Sequence, residues 1–163
     1  MNLHINKKLN YMRTITIILS IIILFKSDLI FAQVSEDNSE NGKLTVIITG
    51  FSNEEGNCRF ALDNSKFVYE RDDTVWIGKV LPIINKKVIV VIESLEYGEY
   101  AVRVFHDENK NKIIDTNLLG IPTEDYGYSN NATSWFGPPS WEKAKFIFNK
   151  PEMTIEIEVG SFI

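Results

Sequence analysis

Residues 153–159 read Met-Thr-Ile-Glu-Ile-Glu-Val. Met153, Ile155, Ile157 and Val159 alternate with Thr154, Glu156 and Glu158. Successive side chains of an extended strand point to opposite faces, so this spacing puts apolar groups on one side and acids on the other. The same two-residue period recurs upstream. Glu99–His106 (EYAVRVFH) sets Tyr100, Val102 and Val104 against Ala101, Arg103 and Phe105. Asn57–Asp63 (NCRFALD) places Cys58, Phe60 and Leu62 on one face. Lys43–Gly50 (KLTVIITG), Trp76–Ile84, Lys86–Glu93 (KKVIVVIE) and Lys143–Phe148 carry the β-branched and aromatic residues that suit strands. No long segment shows a helical period; Ser65–Asp73 has room for one short helical turn. About seven short strands in roughly 115 residues predict an all-β fold, an immunoglobulin-like or transthyretin-like β-sandwich. A closed barrel is the rival arrangement of the same strands.

Upstream of these strands the chemistry changes. Lys7, Lys8 and Arg13 lead into the uncharged run Thr14–Phe25 (TITIILSIIILF), and Ala32 precedes Gln33. A basic lead, an apolar run and a small residue are the three parts of a secretory signal peptide, expected over residues 1–32. The run is shorter than the roughly 20 residues of a comfortable membrane span, although an uncleaved anchor is the alternative. Residues 33–42 (QVSEDNSENG) are polar and acidic and read as a flexible leader. Residues 43–163 are then one β-sandwich domain, secreted or periplasmic, with no membrane attachment after cleavage.

Charge and cysteine content narrow the function. The 163 residues carry 17 basic and 22 acidic side chains, net −5. Without the four basic residues and one acid of 1–32, the balance is 13 against 21, net −8. A nucleic-acid binder needs a basic face, so that class is excluded. The single cysteine, Cys58, excludes an internal disulfide and any cysteine-cluster metal site.

Thirty-six residues between His106 and Lys143 break the strand rhythm. A loop that long in a compact domain is functional or disordered, and this one is too aromatic for disorder. Its first part, Asp107-Glu108-Asn109-Lys110-Asn111-Lys112-Ile113-Ile114-Asp115, sets oxygen-bearing side chains at relative positions 1, 3, 5 and 9. Position 7, Ile113, offers a backbone carbonyl. This is the spacing with which a tight loop wraps a hard cation, so Asp107, Asn109, Asn111, Ile113 and Asp115 are candidate calcium ligands. Lys112 replaces the glycine of such loops and Leu118 replaces the bidentate glutamate of a helix–loop–helix site. The competing reading is a set of Asx-turns in a long connection.

The second part joins Tyr126-Gly127-Tyr128-Ser129-Asn130-Asn131 to Trp135-Phe136-Gly137-Pro138-Pro139-Ser140-Trp141. Tyr126, Tyr128, Trp135 and Trp141 beside amide side chains suit a surface for a glycan or an extracytoplasmic protein. The competing reading is that the rings pack the loop onto the sandwich. Catalytic constellations are thin. His106 is the one histidine after residue 32, and a hydrolase would need it in a cleft beside a carboxylate. There is no G-x-S-x-G elbow. Cys58 reads as an inert core thiol, and the acid pairs Asp72-Asp73 and Glu124-Asp125 read as solvated loop acids.

Several motifs in order resemble one family. They are Tyr97–Asn109 (YGEYAVRVFHDEN), Asp115–Pro122 (DTNLLGIP), Gly127–Asn131 (GYSNN) and Phe136–Ser140 (FGPPS). The chain resembles, from about Leu44 to Val159, the bacterial exported family called domain of unknown function 2141. The resemblance implies an exported β-sandwich related to transthyretin-like and carboxypeptidase-regulatory modules, and no established activity. Where that family often reads Asn-Gly-Asn-Gly, this chain has Lys110 and Lys112, which tolerate positive φ less well than glycine. The sequence therefore predicts a non-catalytic binding or structural module stabilised by calcium in loop 107–115. A glycan- or protein-binding module using residues 126–141 is the alternative, and a hydrolase the third reading.

Overall fold

The computed structural model describes residues 40–161 other than Asp72. The expected signal peptide and residues 33–39 of the leader lie outside the described residues. Among the described residues, eight strands follow one another: β1 (Asn41–Thr49), β2 (Asn57–Asp63), β3 (Ile77–Leu81), β4 (Lys87–Glu96), β5 (Gly98–Asp107), β6 (Tyr126–Tyr128), β7 (Phe146–Phe148) and β8 (Glu152–Glu158). They form two sheets. One has the order β4-β1-β8; the other runs β3-β2-β5-β6, with β7 paired to β5.

The period-two segments explain the layering. Leu44, Val46 and Ile48 of β1 and Val88, Val90 and Ile92 of β4 are buried on one sheet. Cys58, Phe60 and Leu62 of β2 and Tyr100, Val102 and Val104 of β5 are buried on the other. All twelve belong to a single hydrophobic cluster, so the two inner faces make one sandwich core. β1 is the central strand of its sheet. Val46 lies opposite Val90 of antiparallel β4 and opposite Ile155 of parallel β8. After β8, Tyr126 N–H donates to the Gly160 carbonyl (3.2 Å) and Gly160 N–H donates to the Tyr126 carbonyl (3.1 Å). The end of β8 is thereby stitched to the opposite sheet.

The chain changes sheets between β3 and β4 through a tight turn. Asn85 (φ 52°) and Lys86 (φ 53°) are its left-handed residues, and Ile84 and Lys87 bond across it. The short helical turn expected in 65–73 is present at Lys66–Tyr69, and the Ser65 hydroxyl accepts from Val68 N–H.

Three boundaries differ from the sequence reading. β1 begins at Asn41, inside the acidic leader. β6 is an eighth strand, three residues long, in the excursion whose sequence shows little strand pattern. Lys143–Phe148 is not one strand: Trp141–Ala144 forms a helical turn and only Phe146–Phe148 is extended. That turn is held by tertiary bonds. The Ser129 hydroxyl donates to the Ala144 carbonyl (2.6 Å) and accepts from Val102 N–H (2.8 Å).

A second, smaller core lies on the far face of β5. Tyr69, Ala101, Trp141 and Ala144 are buried there, with Tyr128 and Ala132 packed against them. The Tyr69 hydroxyl donates to the Pro139 carbonyl (2.9 Å). The excursion is thus pinned onto the five-stranded sheet by its own aromatic residues. Among the described residues, no helix is long and apolar enough to cross a membrane.

Candidate functional site

The excursion leaves β5 at Asp107 and returns at β6, and its two ends are tied together. His106 N–H donates to the Asp125 carbonyl (2.8 Å). The Glu124 carboxylate accepts from Glu108 N–H and from Asp115 N–H, both at 3.0 Å. Glu124 and Asp125 are buried. The expectation of solvated loop acids is therefore corrected: these two carboxylates satisfy backbone donors that a bare loop would bury unpaired.

Within the loop the Asx-turn chemistry is explicit. Asn111 N–H donates to Asn109 Oδ1 and Ile113 N–H donates to Asn111 Oδ1, both at 2.9 Å. The amides of Asn109 and Asn111 donate to the two Asp115 oxygens at 2.5 and 2.9 Å. Asn109, Asn111 and Asp115 are thus brought together. Asp107 is turned elsewhere: it is fully buried and accepts from Arg59 Nε at 2.5 Å. Both its oxygens also face Lys112 N–H, at 3.3 and 3.2 Å. Ile113 is exposed at the surface. The five candidate calcium ligands therefore divide into an Asn109–Asn111–Asp115 knot and an Asp107–Arg59 ion pair.

Lys110 (φ 63°) and Lys112 (φ 76°) occupy left-handed backbone. Each costs on the order of 1 kcal/mol relative to glycine. Gly56 lies against this neck with φ 68°; a Cβ there would sit 2.1 Å from the Asp107 carbonyl oxygen. Here glycine is required both for the turn and for the close approach.

The aromatic candidates also divide. Trp141 is 5% exposed and belongs to the second core, so its assignment to a binding surface is corrected. Trp135 and Phe136 are 97% and 94% exposed on a separate tip. Tyr126 and Tyr128 are half-buried and meet edge to face, ring centroids 6.0 Å apart. Both line a groove of about 810 Å³ over the outer face of the five-stranded sheet. Tyr69 and Phe105 add rings, and Arg59 and Arg103 add guanidinium groups. Arg103 is held by buried Asp63, with Nε–Oδ2 at 2.7 Å, and lies over the Tyr69 ring at 5.6 Å. Strand alternation explains the lining. Arg59, Arg103 and Phe105 are among the residues of β2 and β5 that point away from the core.

His106 is on the inward face at the end of β5, fully buried and outside the groove lining. Its Nε2 lies 2.6 Å from the Glu55 carbonyl oxygen. Nδ1 has no hydrogen-bond partner. The nearest carboxylate oxygens are Glu108 Oε1 at 3.6 Å and Asp125 Oδ2 at 3.7 Å. Asp125 Oδ2 accepts from Ser52 N–H at 2.7 Å. The histidine thus has the carboxylate neighbours a hydrolase would need, and it stands apart from the groove over the five-stranded sheet. Cys58, opposite His106 in the β2–β5 register, is buried, and burial pushes its thiol up to about 12. It is a protonated core side chain at neutral pH, as the sequence suggested.

No curated protein and no solved structure gave a significant match to this chain. Residues 46–156 match the family described as an uncharacterized protein conserved in bacteria, domain of unknown function 2141, which covers more than half of the chain; the protein belongs to that family.

Proposed function

We propose that this domain is an exported, non-catalytic binding module that holds a glycan in the groove over the five-stranded sheet. The observation that carries this reading is the groove itself: about 810 Å³, lined by the half-buried rings of Phe105, Tyr126 and Tyr128 with Arg59 and Arg103 beside them. Ring faces suit the C–H faces of sugars. Guanidinium groups pre-oriented by carboxylates offer fixed donors to hydroxyls, so less side-chain freedom is lost on binding. Arg59, Arg103 and Phe105 stand on β2 and β5, which are paired on both sides. Strand addition by a peptide would need a free sheet edge instead.

The test is a glycan-array screen of the full chain, followed by calorimetry on any hit. Tyr126→Ala and Tyr128→Ala are each expected to weaken binding by about tenfold or more, about 1.4 kcal/mol. Trp135→Ala, on the exposed tip, is expected to leave it unchanged. An array with no hit, or a hit insensitive to both tyrosine variants, overturns the assignment.

A further inference from the structure

We propose that His106, Glu108 and Asp125 form a site for one divalent transition ion of the zinc type. The argument begins with the tautomer. A carbonyl oxygen only accepts, so the 2.6 Å contact with Glu55 places the ring hydrogen on Nε2. Nδ1 then points, buried and unpartnered, at two carboxylates. Buried polar atoms are nearly always satisfied, and a lone pair aimed at two anions is the least favourable way to leave one. Something positive belongs between them. A proton would close hydrogen bonds of about 2.7–3.0 Å. The observed separations of 3.6 and 3.7 Å are too long for that.

They are close to what a metal requires. Zinc bonds nitrogen and oxygen at about 2.0–2.2 Å in tetrahedral geometry, which sets ligand atoms roughly 3.3–3.5 Å apart. The three ligand atoms lie within 4.8 Å of one another, and among the described residues this is the one such group of His, Cys, Asp and Glu. The surroundings match a metal site too. The second ring nitrogen donates to a backbone carbonyl, the arrangement that orients a ligating imidazole. Asp125 is held by the Ser52 N–H bond. The Glu108 side chain is 38% exposed, which gives an ion a path from solvent and leaves a fourth position for water. An imidazole–carboxylate set selects a borderline ion such as zinc over calcium, which takes oxygen ligands only.

The ion would fasten the neck of the excursion. His106 is the last residue but one of β5, Glu108 opens the loop, and Asp125 closes it immediately before Tyr126.

The experiment is calorimetric titration of chelator-stripped full-length chain with zinc, with calcium and magnesium as parallel arms. One zinc per chain is expected, together with a raised melting midpoint and slower proteolysis within residues 108–124. Cobalt should replace zinc and give the visible absorption of a four-coordinate site. Glu108→Gln is the deciding variant, because its carboxylate is part-exposed and glutamine keeps its size. It should leave the metal-free melt unchanged and weaken zinc by about tenfold or more. Cys58→Ala should bind zinc normally. No zinc binding, zinc binding unaffected by Glu108→Gln, or an equal response to calcium overturns the proposal.

Discussion

Asp107 shows how a single carboxylate acquires its role from a distant partner. Its position before Asn109 and Asn111 fits a calcium loop, and that much is legible in the sequence. What decides its geometry is Arg59, 48 residues earlier, which β2–β5 pairing brings to 2.5 Å. The same holds for Asp125 and the Ser52 amide, 73 residues apart. Local spacing cannot encode such pairs, because register between strands sets them. Removing one partner of a buried ion pair leaves the other uncompensated and costs about 3–5 kcal/mol. Arg59 is about one quarter exposed, so solvent screens part of its charge and the lower end applies. Asp107→Ala should therefore lower unfolding stability by about 3 kcal/mol in urea melts, equally with and without millimolar calcium. A loss seen only in the presence of calcium would restore Asp107 as a cation ligand.

Elements were legible in proportion to their length. β1, β2, β4, β5 and β8 each run seven residues or more, long enough for period-two alternation to repeat several times. β6 and the Trp141–Ala144 turn are three and four residues long. A three-residue strand contains little more than one period, so only tertiary contacts define it. Those contacts also decide which aromatic ring is structural. Trp141 meets the Tyr69 ring at 5.8 Å and is buried; Trp135 is not, although both stand in the same proline-rich stretch. Truncating a buried tryptophan costs about 3–5 kcal/mol. Trp141→Ala should lose about 3 kcal/mol or more in a denaturant melt. Trp135→Ala should stay within about 0.5 kcal/mol of wild type, as expected of an exposed site. Equal losses from the two would mean that the second core does not hold the excursion.

At the level of the whole molecule, the sandwich is closed by strands from opposite ends of the described chain. β8 pairs in parallel with β1 along seven residue pairs, from Lys43–Glu152 to Thr49–Glu158. The Lys43–Glu152 ion pair at 2.6 Å is exposed and contributes little. Apolar burial does the larger part. Ile157 and Val159 are buried, and Met153 and Ile155 pack partly against the core. Burying the first two alone is worth roughly 3–6 kcal/mol. That is comparable with the roughly 5–15 kcal/mol by which a whole domain is stable. Loss of β8 also opens one edge of β1 and removes the Tyr126–Gly160 stitch between sheets. A chain ending at Asn149 should therefore show no cooperative thermal or urea transition, whereas the full chain should unfold in a single step. A truncated chain that still melted cooperatively would show that β1 and β4 complete the core without β8. The final strand would then be an appended edge, not the element that closes the fold.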